Sequence, residues 1–277
     1  MNNKNLSSHK RTEPESRVLY VVGTPIGNLG DLSYRALNIL QNVSIIACED
    51  TRQTKKIMQK FEFKNNVLSF NKYNSINKIP RILNDLNSGK SIALVSDAGM
   101  PSICDPGENL VKEVRSQGFK IVCIPGPCAA ITALAVSGLP SSRFTFEGFI
   151  PRKSSEREKI LLEISNNQKT SIVFESPRRL KKLLLDLKKY CGGEREIQVS
   201  RELTKKFEEN IVDNIDNLIN FYEDKEIIGE ITVVIKGLIK KNEDIIPLLS
   251  KFSKEVIDAA VGAHSDSDRE AHSKLTR

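Results

Sequence analysis

Histidine is nearly missing from this chain: among 277 residues only His9, His264 and His272 carry an imidazole, all in polar terminal stretches. A Ser/His/Asp triad, a Cys/His dyad and a histidine-based zinc site each lose their central group, and no metal is expected. The five cysteines, Cys48, Cys104, Cys123, Cys128 and Cys191, include no CxxC pair. They read as reduced thiols, with Cys48 and Cys123 as small buried side chains inside apolar runs. No apolar run approaches the roughly 20 residues that span a bilayer; the longest, AAITALAV from Ala129, is far shorter. The first residues, MNNKNLSSHKRTEPESR, hold no apolar stretch of a secretory signal, so a soluble cytoplasmic protein is expected. Nucleotide fingerprints are missing too. GTPIGN offers only Gly23 and Gly27, which is no GxGxxG, and the GKS at Gly89 has Asn84 where a P-loop needs glycine and precedes a strand rather than following one.

What is present is an alternation of strands and helices. The first strand is VLYVV from Val18, and strand patterns recur at 43–48, 91–96 and 120–124, separated by helical patterns. Asp31 is the expected N-cap of the helix carrying Leu32, Leu37 and Leu40. Such alternation implies parallel βαβ units wound right-handedly. After Gly138 a second region opens, with strands expected at 143–149, 171–175, 196–201 and 230–236. A helix after Pro177 places Leu180, Leu183, Leu184 and Leu187 on one buried stripe. The reading is therefore α/β with two domains, 17–139 and 140–240, the first sheet mainly parallel and the second mixed, with a ligand cleft between them. Residues 1–16 are expected to form a disordered leader and 241–277 a polar, largely disordered tail.

Three strands run into turns rich in glycine and proline: GTPIGN after Val22, SDAGMPSICDPG after Val95 and PGPCAAITAL after Ile124. Loops at the carboxyl ends of strands in an open α/β sheet gather on one edge, where main-chain groups can bind a small ligand. In the second loop Ala98, Gly99 and Gly107 keep side chains out of the way and Pro101 and Pro106 direct the path, which suits a flat adenine and a ribose. Asp105, by itself, reads as the cap of the helix carrying Leu110, Val111 and Val114. In the third loop, small residues serve either free helical N–H groups facing a ligand or close helix-to-sheet packing; both can hold. EDTRQTKK gathers Glu49, Asp50 and Arg52 at the same edge, where an acidic helix start with a surface ion pair is the plain explanation.

In order along the chain, GTPIGNLGDLSYRA, EDTRQT, LVSDAGMPSICDPG, PGPCAAITALAVSGLP, FEGFIPRK, ESPRRL, RELTK and GEITVVIKG resemble the bacterial ribosomal RNA small subunit methyltransferase I family, from about Leu19 to Gly237. The resemblance implies the tetrapyrrole-methylase fold, S-adenosylmethionine in the cleft, a homodimer, and 2′-O-methylation of a cytidine in the decoding region of 16S ribosomal RNA. It implies cofactor contacts from Pro25, from Ser96, Asp97, Ala98, Gly99, Pro101 and Ile103, and from Cys128 and Ala129. Glu175, Leu203, Gly229, Glu230 and Ile231 would complete the pocket from the second domain. Two departures stand out: SFNKYNSIN, around Asn71 and Asn74, where many members carry an HxHN-like segment, and Arg178 where histidine is frequent. Either those histidines are dispensable or this chain is impaired.

With no core histidine, a carboxylate is the available proton acceptor, so Glu49 or Asp50 is expected to orient or deprotonate the hydroxyl while Arg52 holds a phosphate. The net charge of +7 favours an anionic partner. Arg152, Lys153, Arg157, Arg178 and Arg179 cluster near the cleft-forming motifs and are expected to meet phosphates of 16S ribosomal RNA or the small subunit. Neither a membrane nor DNA is expected as partner. Two other readings remain: a porphyrinoid methyltransferase of the same fold, disfavoured by EDTR, ESPRRL and the basic surplus, and a non-catalytic RNA-binding ribosome-assembly factor, motivated by the missing histidines.

Overall fold

The computed structural model describes residues 13–239. The three histidines, the expected tail at 241–277 and all but the end of the expected leader lie outside the described residues. Glu13 and Glu15, at the end of that leader, are tied to the body by ion pairs with Arg35 and Lys120, both 2.7 Å long.

The first sheet has the order β3-β2-β4-β1-β5, built from β1 (Val18–Val22), β2 (Ile45–Cys48), β3 (Val67–Ser69), β4 (Ile92–Val95) and β5 (Lys120–Ile124). Every pairing in it is parallel. Strand alternation splits its core in two. Val18, Tyr20 and Val22 point to a face covered by Ala36, Ile39 and Leu40 of α1 (Tyr34–Asn42). Leu19, Ile92 and Leu94 point to the other face, covered by Ile82 and Leu86 of α3 (Ser75–Asn87) and Leu110 and Val114 of α4 (Glu108–Ser116). Burial on both faces is why these strands read as unbroken apolar runs. Cys48 is buried as expected, whereas Cys123 is exposed, because β5 is an edge strand with an open outer face. The cap of α1 also differs from expectation. Ser33 accepts from the Ala36 N–H, while Asp31 ends a short 3-10 turn capped by Asn28. An extended Ser33 starts the helix two residues later than Asp31 would.

The second sheet has the order β6-β7-β10-β8-β9, from β6 (Phe144–Phe149), β7 (Thr170–Glu175), β8 (Glu196–Arg201), β9 (Glu209–Asn214) and β10 (Ile231–Ile235). It is mixed: β6 and β7 are parallel, and β10 is antiparallel to both β7 and β8. One face packs on α6 (Ser154–Asn166), α7 (Pro177–Cys191) and α8 (Ile215–Tyr222), with the leucine stripe of α7 fully buried. The other face receives α5 (Ala129–Ser137), whose Ala130, Ala133 and Leu134 meet Ile172 and Val234. So the small residues of α5 do serve close packing, but against the second sheet. Gln198 fastens the contact by donating to the Ala133 carbonyl at 2.9 Å.

Candidate active site

The carboxyl ends of β1, β4 and β5 bring their turns together with almost no side-chain bulk. A Cβ on Gly126 would stand 2.8 Å from Gly23 Cα, and one on Gly23 would stand 2.6 Å from Gly126 Cα, so the turns after β1 and β5 touch backbone to backbone. Thr24 and Gly99 exchange main-chain hydrogen bonds of 2.9 and 3.1 Å, pinning the turn after β1 to the turn after β4. The second turn is strained: Ser102 (φ 70°) and Cys104 (φ 61°) sit in the left-handed region between Gly99 (φ 83°) and Gly107 (φ 152°). Strain of this kind costs about 1–3 kcal/mol per residue and persists where the surroundings enforce it. Here β6 does so, with Gly148 leaving just enough room for the Cys104 sulfur, 2.9 Å from where a Cβ would lie.

Four carboxylates lie beside these turns. Asp50 caps α2 (Thr51–Lys60), accepts from the Arg52 N–H, and pairs with the Arg52 guanidinium at 2.6 Å. The Arg52 side chain and N–H hold the Asp50 carboxyl down at about 2. Asp97 Oδ1 accepts from the Asp50 N–H at 2.9 Å. Glu49 is half-buried, and burial first, then the charges of Asp97 and Asp105, push its carboxyl above the ordinary range, with Lys72 opposing. Burial likewise raises Asp105, against a hydrogen bond from Ser96. Asp105 is thus no helix cap: Gly107 occupies that position with no side-chain bond, because Pro106 and Gly107 carry the chain past the aspartate before α4 begins. Of these two neighbouring acids, Glu49 is half-buried with its carboxyl pushed up by burial, whereas Asp50 is held by Arg52. Among the described residues no three of His, Cys, Asp and Glu converge to hold a metal ion, and no helix is long and apolar enough to cross a membrane.

The second half closes over this edge. Lys205, in the turn after β8, lies against Gly27 and pairs with Glu202 at 2.8 Å and Glu230 at 2.9 Å. Leu203 joins Ile26 in the apolar cluster under α5. Gly229, at φ 101°, gives room to the Glu202 side chain. The expected pocket set includes Glu230 and Gly229 but not Lys205, which lies inside the quoted RELTK motif.

Glu175 behaves differently from its neighbours on the expected list. Its fully buried carboxylate pairs with Arg179 at 3.1 Å and Arg157 at 3.7 Å, and Arg157 also binds Asp186 at 2.7 Å. Arg157 is 5% exposed and therefore not available to phosphates; it bolts α6 to α7. Arg179 is likewise committed, donating to the Ile150 carbonyl. Arg152, Lys153 and Arg178 stay exposed. A cavity of about 540 Å³ lined by Pro140, Asn167 and Lys236 lies at the opposite edge of the second sheet and shares no residue with the crevice.

A parallel sheet and a mixed sheet with a main-chain crevice between them define a methyltransferase of the tetrapyrrole-methylase type, and the model of the Tetrapyrrole (Corrin/Porphyrin) Methylases family matches residues 18–219. Solved structures share the fold at low identity. One is a uroporphyrin-III-C-methyltransferase from Thermus thermophilus (TM-score 0.57, 16% identical, covering 79% of this chain and 94% of that one). Another is a cobalt precorrin-4 methyltransferase (TM-score 0.60, 16% identical, 79% and 95%). Other relatives are much nearer in sequence. Proteins named Ribosomal RNA small subunit methyltransferase I are 43% identical in Vibrio cholerae, covering 87% of this chain and 85% of the relative, and 45% identical in Thermotoga maritima, covering 79% and 98%. The chain belongs to the ribosomal RNA small subunit methyltransferase I family.

Proposed function

We propose that this enzyme moves a methyl group from S-adenosylmethionine to the ribose 2′-oxygen of a cytidine in the decoding region of 16S ribosomal RNA, in the cytoplasm. The observation that carries this reading is the crevice itself: turns that meet backbone to backbone at Gly23 and Gly126, beside the half-buried Glu49, whose carboxyl burial pushes up.

The crevice suits the cofactor. Gly23 and Gly126 let two of its turns approach backbone to backbone, α5 begins at Cys128 with no side chain capping its first N–H groups, and Asp97 offers a carboxylate for ribose hydroxyls. Pro25, Ser96, Ala98, Gly99, Pro101 and Ile103 would form the wall from the first half. Ala129, Leu203, Gly229, Glu230 and Ile231 would form the wall from the second. Glu175 is moved from this set to the ion network beneath it. Bound there, S-adenosylmethionine supplies an electrophilic methyl carbon on its sulfonium. The protein's share is alignment, which supplies roughly 7–11 kcal/mol in favourable cases, and removal of the hydroxyl proton, which falls to Glu49. Gly126→Ala should abolish cofactor binding in calorimetry, since the methyl would overlap Gly23. Retained heat would show that the turns are not the cofactor wall.

Arg152, Lys153 and Arg178 are the exposed cations that would meet RNA phosphates. Small subunits from cells lacking this gene should accept one methyl group on small-subunit RNA, read by mapping 2′-O-methylation. Each of Arg152→Ala, Lys153→Ala and Arg178→Ala should flatten the log affinity against log salt slope by about 0.7–0.9. No transfer to subunits or free RNA, with transfer to a porphyrinoid acceptor, would overturn the reading.

A further inference from the structure

The sheet register sets the turn after β3 beside Glu49. Ser69 lies opposite Cys48, and the Phe70 N–H donates to the Cys48 carbonyl at 2.7 Å, so the chain leaves β2 and β3 in parallel. The turn that follows is stitched by its own asparagines. Asn71 Oδ1 accepts from the Tyr73 and Asn74 N–H groups, Asn74 Oδ1 accepts from the Asn71 N–H at 2.9 Å, and both amides reach the Ser69 hydroxyl. What this turn presents is an aromatic ring in water. Tyr73 is 84% exposed, and the Lys72 ammonium lies 4.9 Å from its ring centroid. Lys72 is also the cation whose charge opposes the rise of Glu49, which puts the pair within electrostatic reach of the proton acceptor.

Lysine over a ring is not by itself informative. Lys189 covers Tyr190 in the same way at the far end of α7, but there the phenol donates to Glu158 and the ring packs against the core of the second sheet. Tyr73 has no such contact: its hydroxyl has no hydrogen bond among the described residues and its ring packs against no core. An exposed ring backed by a cation, held on a stitched turn beside a base-poised carboxylate, matches what unpaired nucleotides need, a π-face to stack on and a charge for the backbone. A duplex keeps its base faces stacked on one another, so only an unpaired base can offer its π-face to the ring.

We propose that Tyr73 with Lys72 is a stacking platform for an unpaired nucleobase at or next to the methylated nucleotide, so that the RNA enters the crevice as a splayed single strand. This rests on the assignment of RNA as substrate. Tyr73→Ala in the full chain should raise KM for small subunits by about 5- to 150-fold, from the usual worth of one base-aromatic stack, with the loss falling on KM more than on kcat. Tyr73→Phe should restore it, because stacking needs the ring and not the hydroxyl. Lys72→Ala should flatten the salt slope by about 0.7–0.9, whereas Tyr73→Ala should leave that slope unchanged. Wild-type enzyme that methylates subunits while Tyr73→Ala keeps its KM, or a Tyr73→Phe variant as weak as Tyr73→Ala, overturns the platform alone. Wild-type enzyme that transfers nothing to RNA overturns the substrate assignment beneath it.

Discussion

Glu49→Gln should lower the single-turnover methylation rate by about 10²- to 10⁴-fold, the usual worth of a positioned general base, while binding of the methyl donor stays in place. The carboxylate sits at the C-terminal end of β2, half-buried, with Asp97 and Asp105 raising its basicity. Its working form is the anion, so the rate should rise with pH through the Glu49 pKa, above the ordinary carboxylate range. Lys72→Ala should move that inflection further up and Asp97→Asn should move it down. Stability has the opposite sign. A carboxyl with a raised folded pKa stabilises the fold when protonated, below its unfolded pKa, and that contribution is lost as pH rises through the folded pKa. At neutral pH ionised Glu49 therefore weakens the fold, and Glu49→Gln should unfold no earlier than the wild type, which separates lost chemistry from lost structure. Asp50→Asn, by contrast, removes the ion pair with Arg52 and should cost far less rate. An undiminished rate in Glu49→Gln would remove it from the reaction.

Arg157→Ala should destabilise the protein by about 3–5 kcal/mol, the cost of leaving a buried charge without its partner. Both Glu175 and Asp186 lose a cation; Arg179 still holds Glu175 Oε1 at 3.1 Å, but Glu175 Oε2, which has no hydrogen bond, is left without its ion-pair partner. Because the cluster is shielded from solvent, added salt should not recover the loss. Arg152→Ala, five residues earlier and exposed, should leave stability nearly unchanged and weaken RNA binding instead. Urea denaturation distinguishes the two. If Arg157→Ala unfolds like the wild type but binds RNA poorly, the buried network is the wrong assignment.

Arg157 also shows where the sequence was and was not legible. By residue type it is one more cation in a basic run. By period it stands four and seven residues before Leu161 and Ile164, on the buried stripe of α6, and that spacing was the signal that separates it from Arg152. Strands buried on a face, such as β5 at 120–124 and β8 at 196–201, were legible residue by residue. β9, with the sequence ENIVDN on an exposed edge, carries its alternation in charges and amides, and β3 is three residues long; neither was foreseen. At the site, the turns were visible as glycine and proline but their mutual contact was not. Gly23 meets Gly126 across about a hundred residues of chain, a distance no local pattern encodes. The separate fates of Glu49 and Asp50 were hidden for a related reason. Adjacent acids differ only through what folds against them.

Helix α5 springs from the Gly126 turn yet lies on the opposite sheet, fastened there by Ala130, Ala133 and the Gln198 amide. A hinge needs a joint that can bend without unseating either leaf, and this chain has a dowel driven through the joint. The two leaves are thereby locked in register. Any change in how far they stand apart would have to break the α5 packing and the Gln198 hydrogen bond.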